Sequence, residues 1–308
     1  MGAGTSSTAR SWKSWWSAFP WRTCACRGSS TARLDEALKR ALGIEAATRL
    51  PGGGILDCYW VSIGGEERFL KTGLARHADR FAAEADGLRA LLEAGVRAPR
   101  TFGAGVAGAQ AYLVIEHLEL HQEGDFAALG AMLARLHGAA GTRYGWSRDN
   151  YIGATEQENA WAEEWPAFFR ERRLRPQIAL AQRNGFSLEC DFVLDNLDKL
   201  LGHGPRPSLL HGDLWSGNAG FHRGEPVLFD PAVYYGDREC DLAMTELFGG
   251  FPADFYASYA KELPLDAGYG KRKHLYNLYH LLNHLNIFGG GYLGQVSSTL
   301  GLLRSFLQ

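Results

Sequence analysis

Apolar residues recur at helical spacing from 77 to 94. Phe81, Ala85, Leu88, Leu91 and Leu92 fall on one stripe there and predict an amphipathic helix. Leu34, Ala37, Leu38, Ala41 and Leu42 predict a shorter helix upstream. Between the two the period changes. Cys58 to Ile63 reads as a strand, Gly64-Gly65 as a two-residue hairpin, and Arg68-Phe69-Leu70-Lys71 as the return strand. Another strand ends at Tyr112-Leu-Val-Ile-Glu116. From Asp125 onward helices dominate, over 125–139, about 160–183, 188–202, 239–249 and 272–287, with two short strands framing a turn near 211–218. Strands first and helices afterwards predict an α+β chain. It divides into an extension over 1–33, a small β-rich lobe over 34–118 and a larger, mainly helical lobe over 119–308. No repeat or low-complexity linker separates the lobes.

One residue breaks the stripe. Glu84 lies within it, three residues after Phe81 and four before Leu88. A carboxylate on a core-facing stripe is costly to desolvate unless it is paired. Lys71 on the preceding strand is the expected partner, unless Glu84 sits at the stripe's edge and reaches water.

The densest chemical signal is downstream. His211-Gly-Asp213-Leu-Trp215-Ser-Gly-Asn218 is followed, twelve residues on, by Asp230 at the end of Val227-Leu-Phe. An acid, four residues, an amide and a later acid are the layout of a phosphoryl-transfer site, in which Asp213 takes the substrate hydroxyl proton while Asn218 and Asp230 hold Mg²⁺. Hard oxygen ligands suit that ion, which keeps much of its shell for phosphate. The bland alternative is an Asx-capped turn between buried strands. Upstream residues weigh against it. Gly52-Gly53-Gly54 is a turn whose backbone can approach phosphate closely, and Lys71 follows one hairpin later, placed to pair with the phosphates of ATP. Glu116-His117-Leu118, at a strand end, is the expected hinge whose backbone groups bond adenine. These parts in this order predict a bilobal, protein-kinase-like fold.

Spacing narrows the acceptor. Protein kinases place a long activation segment between the metal Asp and the next helix. Here Pro231 to Cys240 leads straight into Asp241-Leu-Ala-Met-Thr-Glu-Leu, already helical in pattern, which leaves no platform for a peptide. A small-molecule acceptor is expected.

The chain resembles the fructosamine kinase (ketosamine-3-kinase) family, within the aminoglycoside-phosphotransferase-like kinases, from about Leu34 to its C-terminus. The resemblance rests on Phe69-Leu-Lys-Thr72, Leu129-Gly-Ala-Met-Leu-Ala-Arg-Leu-His137, Tyr151-Ile-Gly-Ala-Thr-Glu-Gln157-Glu-Asn159, Trp165-Pro-Ala-Phe-Phe-Arg-Glu-Arg-Arg-Leu174, His211–Asn218, Asp230–Asp237 and Leu282–Leu293. Trp215, between the acid and the amide, is its most telling residue. The resemblance implies ATP-dependent phosphorylation of the sugar 3-hydroxyl of ketosamines, free or as glycated lysines on proteins, with breakdown of the product releasing the amine. Relatives often carry Cys or Ser at the end of the glycine turn. Here the nearest thiol is Cys58, so thiol regulation through that loop is not carried over.

Neighbouring residues keep two readings each. His211 is expected to hold the turn rather than act as a base. Asp241 is expected to accept backbone hydrogen bonds from the turn rather than bind metal. Trp215 either stacks on the acceptor or fills core. Gln157 and Asn159 either line the acceptor site or cap the next helix.

Composition changes the picture little. At 308 residues the chain suffices for two lobes around a cleft. A net charge of −2 argues against a general nucleic-acid binder. Five cysteines without paired clusters indicate neither a disulfide framework nor a zinc site. No apolar run approaches the roughly 20 residues that span a bilayer. A cytoplasmic enzyme is expected, its oligomeric state open. Residues 1–33 lack Asp and Glu and carry five Lys or Arg and four Trp, and are expected to be a dispensable extension rather than a transit peptide. Two other readings remain: an aminoglycoside- or choline-type kinase, and a nucleotide-binding pseudokinase.

Overall fold

A computed structural model of the chain describes residues 34–50 and 56–308. The expectations for residues 1–33 and for Gly52, Gly53 and Gly54 lie outside the described residues.

Asp35 caps helix α1 (Glu36–Leu42) by accepting from the Ala37 amide, and Gly43 ends it at φ 64°. Strands β1 (Ile44–Arg49), β2 (Asp57–Ile63) and β3 (Glu66–Leu74) then run antiparallel. Gly64 and Gly65, at φ 60° and 75°, make the tight β2–β3 turn that only residues tolerant of positive φ allow. Helix α2 (Ala78–Glu93), β4 (Thr101–Ala107) and β5 (Gln110–Glu116) complete a five-stranded antiparallel sheet in the order β1-β2-β3-β5-β4.

Alternation along the strands divides two cores. Tyr59, Val61, Leu70 and Val114 face Leu34 and Leu38 of the α1 segment. Leu113 and Ile115 point the other way, onto Phe81, Leu88 and Leu91 of α2, and that core continues into Leu129, Leu133, Leu214, Phe221 and Leu228. Lys71 lies beside Leu70, so it shares the α2 side. This is why the stripe of α2 and the lysine of β3 meet.

The helical part begins at α3 (Phe126–Gly138), capped by Asp125, and carries the small hairpin β6 (Asn150–Ile152) and β7 (Thr155–Gln157). Helices α4 (Trp165–Phe169) and α5 (Arg175–Arg183) are joined by a π-helical turn, Arg170–Leu174. After α6 (Asp191–Asp195) and α7 (Leu197–Leu200) come β8 (Ser208–Leu210), β9 (Ala219–His222), β10 (Glu225–Leu228) and β11 (Tyr234–Gly236). The chain closes with α8 (Glu239–Leu247), α9 (Ala253–Glu262), α10 (Tyr269–Phe288) and α11 (Leu293–Ser305). Among the described residues no helix is long and apolar enough to cross a membrane. Cys58, Cys190 and Cys240 are buried thiols, unpaired among the described residues.

Several elements differ from the pattern-based reading. The 188–202 segment is two short helices rather than one, and the 160–183 helix starts at Trp165, with Pro166 in its first turn. Helices α9 and α11, the hairpin β6–β7, and strands β1 and β4 have no counterpart in that reading. Strand β4 reads Thr-Phe-Gly-Ala-Gly-Val-Ala, and two of its four inward positions, Gly103 and Gly105, are glycines. A Cβ on Gly105 would sit 3.3 Å from the Tyr112 hydroxyl. The apolar alternation is thus inverted, because the Tyr112 ring occupies the space that side chains would fill.

Candidate active site

The turn between β8 and β9 is set by backbone geometry. Leu209 and Leu210 pair with Tyr235 and Tyr234. The chain then turns at Gly212, φ 83°, where a Cβ would collide with the Ala232 carbonyl. His211 is wholly buried, and its Nε2 lies 2.9 Å from Phe229 O. Burial lowers its pKa, so it is a neutral ring that donates from Nε2. Nδ1 then accepts from the Asp213 amide at 3.3 Å. Asp241 grips the turn from beneath, accepting from the His211 amide at 2.7 Å and the Gly212 amide at 2.9 Å. His137 Nε2 lies 3.1 Å from the same carboxylate, and its Nδ1 lies 2.8 Å from the Tyr259 hydroxyl. Both His211 and Asp241 therefore brace the turn.

At the turn's rim stand Asp213 and Asn218. The Asn218 amide donates to Asp213 O at 2.8 Å and Oδ2 at 3.2 Å, which directs its own Oδ1 away from Asp213. Burial, and next the charge of Asp230, push the Asp213 carboxyl up to about 7, where a general base for a hydroxyl proton is well matched to neutral pH.

Lys71 joins the sheet to this turn. Its Nζ lies 2.6 Å from Glu84 Oε1 and 2.6 Å from Asp230 Oδ1. Lys71 and Glu84 are nearly buried, whereas the Asp230 side chain is 48% exposed. Burial alone would lower the Lys71 pKa, but the two carboxylates outweigh it and hold the ammonium above its ordinary value. Asp230 has φ 55°, an uncommon left-handed backbone for a side-chain-bearing residue, which turns its carboxylate toward Lys71. Helix α2 meets the next residue closely, since a Cβ on Gly87 would lie 3.0 Å from Pro231 Cγ. Asn218 Oδ1 and Asp230 Oδ2 are hard oxygen donors of the kind Mg²⁺ takes, few enough to leave room for phosphate oxygens.

The strand-end segment has partners of its own. Both Glu116 oxygens bond Arg97, at 2.8 and 2.9 Å, and the Glu116 amide donates to Arg100 O at 2.8 Å. His117 Nδ1 lies 3.0 Å from Glu67, and its ring is 5.4 Å from that of Trp60. Leu118 packs against Leu120, Val227 and Phe229. Half-buried Trp215 folds its ring over Gly217, where any Cβ would strike it. Its amide donates to Asp213 O at 3.2 Å. Cys58 stands across from Lys71 on β2, and burial pushes its thiol up to about 12.

Gln157 and Asn159 do not cap the next helix. Both are buried, in a polar network with Asn150 and Arg173, and helix α4 begins well beyond them without a side-chain cap. No sequence spacing signals this role, because the acceptors at the end of the network are the main-chain carbonyls of Ala232 and Val233. His203, Asp237 and Glu239 also cluster, but Arg272 meets both Glu239 oxygens at 2.6 and 2.7 Å and supplies the positive charge there.

Comparison with known proteins places this geometry. Residues 28–305 match the family model described as fructosamine kinase. A protein of Synechocystis named a probable ketoamine kinase is 44% identical over 288 residues, covering 91% of this chain and 96% of the relative. One of Vibrio vulnificus with the same name is 41% identical over 89% of this chain and 98% of the relative. The crystal structure of a protein from Haemophilus somnus, assigned as a fructosamine-3-kinase, superposes with TM-score 0.80 at 30% identity over 88% of this chain and 96% of that one. An aminoglycoside phosphotransferase crystallised with ADP and hygromycin B superposes at TM-score 0.57 with 15% identity, over 87% of this chain and 95% of that one, and shares the kinase-like fold. The chain belongs to the fructosamine kinase family and is an ATP-using phosphotransferase with an alcohol acceptor.

Proposed function

We propose that this enzyme phosphorylates the sugar 3-hydroxyl of ketosamines, including glycated lysines, and so serves removal of glycation adducts. The observation that carries the reading is the assembly around one turn of Asp213, Asn218, Asp230 and the Lys71–Glu84 pair, in a chain of this family. The short Asp230-to-helix segment supports a small acceptor. Its residues Tyr234–Gly236 are a strand bonded to β8, so no peptide platform follows the acid.

In this reading Asp213 accepts the proton of the acceptor hydroxyl as its oxygen attacks the γ-phosphorus. The bond from that phosphorus to the β,γ-bridging oxygen breaks, and ADP leaves. Lys71, fixed by Glu84, steadies the charge on the nucleotide phosphates. Asn218 and Asp230 would hold Mg²⁺, which neutralises charge on the transferring group. The Glu116 carbonyl and the Leu118 amide are the hinge groups assigned to adenine, since the Glu116 amide is already bonded to Arg100. Trp215 lies beside Asp213, and its flat face suits a sugar or a protonated amine. A 3-phosphate makes the C3 oxygen a leaving group from the enaminol of C1 and C2. Elimination and hydrolysis then free the amine.

The test is a coupled assay with ATP and a fructosamine, a ribulosamine, a glycated-lysine peptide, choline and an aminoglycoside, with mass spectrometry locating the phosphate. Phosphate on the 3-hydroxyl of ketosamines is the expected result. Transfer confined to the aminoglycoside or choline, or to another hydroxyl, overturns the acceptor assignment.

A further inference from the structure

Asp230 keeps a left-handed backbone, and such a conformation persists only where its surroundings over-determine it. What fixes it lies two and three residues further on. The Ala232 amide donates to His211 O at 2.8 Å, tying the segment to the catalytic turn. The Ala232 carbonyl accepts from Gln157 Nε2 at 3.1 Å, and the Val233 carbonyl accepts from Asn150 Nδ2 at 2.8 Å. Both donors come from the β6–β7 hairpin, and both side chains are at least 96% buried, with exposures of 2% and 4%.

These amides are not free to turn over. Gln157 Nε2 and Asn159 Nδ2 both donate to Asn150 Oδ1, at 2.8 and 2.9 Å, so Asn150 can only present its NH₂ to Val233. Asn159 is oriented in turn by Arg173, whose Nη2 meets its Oδ1 at 2.7 Å. Arginine has donors and no acceptor, which sets the direction of the whole chain. At the other branch the Tyr279 hydroxyl donates to Gln157 Oε1 at 2.8 Å and turns its NH₂ toward Ala232.

Arg173 itself is fully buried. Among the described residues its partners besides Asn159 are the Glu158 and Arg172 carbonyls and the faces of Tyr234, 4.0 Å away, Phe168, 4.6 Å away, and Tyr279, 5.9 Å away, with no carboxylate. The same hairpin also grips α2. Arg80 donates to Gly153 O and stacks on Tyr151, and just upstream Trp146 Nε1 bonds Asp86 at 2.7 Å.

We propose that Asn150, Gln157, Asn159 and Arg173 are positioning residues. They form a one-directional donor chain that locks the Asp230–Val233 backbone, and with it the carboxylate assigned to metal, into a fixed place. A movable activation segment is thereby replaced by a static clamp shared with α2. The inference rests on the phosphoryl-transfer reading of Asp213 and Asp230.

The test uses Gln157→Met, nearly isosteric but without donor or acceptor, and Tyr279→Phe, which removes only the steering hydroxyl. Two quantities are read on folded protein: Mg²⁺ half-saturation in binding of a fluorescent ADP analogue, and kcat against KM for whichever acceptor the parent enzyme uses. Misplacement remote from the chemistry can cost on the order of 10²-fold. Gln157→Met should raise the Mg²⁺ half-saturation about tenfold and lower kcat ~10–100-fold, with acceptor KM within about threefold. Tyr279→Phe should show the same pattern at roughly threefold in each. Mg²⁺ half-saturation and kcat within about twofold of the parent for Gln157→Met overturn the clamp, whatever happens to thermal stability. If that variant does not fold, parent-like values for Tyr279→Phe do so. Asp230→Ala separates the two readings. If it leaves Mg²⁺-dependent nucleotide binding intact, the metal assignment fails. If it removes that binding while Gln157→Met is parent-like, only the clamp fails.

Discussion

Lys71 Nζ lies 2.6 Å from Asp230 Oδ1, a contact between residues 159 positions apart in the chain. It ties the antiparallel sheet to the catalytic turn through one ammonium, which Glu84 holds from the other side. Lys71 and Glu84 are largely buried, so the attraction of the ammonium for each carboxylate is weakly screened there and offsets the repulsion between Glu84 and Asp230.

Replacing Lys71 with Met is expected to lower kcat about 10²–10³-fold, the range for loss of one preorganised charge at a transition state. Lys71→Arg should rescue little, because a planar fork does not fit a point-charge site between two carboxylates. Steady-state kinetics with circular dichroism as a fold control decide it. Arg at parent-like kcat would show that charge alone, without position, suffices.

Asp213→Asn removes the assigned base while keeping its shape and the hydrogen bond to Asn218. Turnover should fall roughly 10²–10⁴-fold, with nucleotide affinity changed little. Calorimetric ATP titration and single-turnover kinetics give both quantities. Turnover within a few-fold of the parent would remove Asp213 from the chemistry.

Asp241 is expected to matter differently. Burial alone would raise its pKa, but hydrogen bonds from His137 and the turn amides hold it below the usual value. A carboxyl depressed on folding adds stability above its unfolded pKa, about 3.9, which is lost as pH falls through the folded value. Asp241→Asn should therefore destabilise by ~1–3 kcal/mol at neutral pH. The gap to the parent should begin to narrow only below about pH 4 and close as pH falls through the depressed folded value of Asp241. Urea unfolding across pH measures this, and a gap that does not narrow with acid contradicts it.

How far the molecule could be read from its sequence depended on what each residue bonds. Lys71 and Glu84 were legible because a charged residue on an apolar stripe needs a partner, and the strand just before the helix supplied one. Asp213, Asn218 and Asp230 stood out because metal and phosphate chemistry restricts residue types, and the structure gathers them around one turn. Strands β1 and β4 were not. They lie at the two edges of the sheet, and glycines stand at two inward positions of β4, against Tyr112. The work of Gln157 and Asn159 was equally hidden. Gln157 bonds a carbonyl 75 residues away, and any residue type presents a carbonyl. Side chains that serve the main chain leave no spacing to recognise.

Trp215 and Gly217 give the last prediction. The Trp215 ring lies over Gly217, so closely that any Cβ there would overlap it. Gly217→Ala should thus push the ring away from its place beside Asp213 without touching an ionisable group. If the Trp215 face receives the acceptor, Gly217→Ala and Trp215→Leu should each raise acceptor KM about tenfold, near 1.4 kcal/mol, and the pair together should cost little more than either alone. The KM for ATP should stay within about twofold in all three variants, since the residues proposed to hold the nucleotide are Lys71, Asn218 and Asp230. Initial-rate kinetics with both substrates varied provide the comparison. A rise in ATP KM equal to that for the acceptor would place Trp215 in the general packing of the turn. Additive losses in the double variant would show that Gly217 acts through something other than the ring.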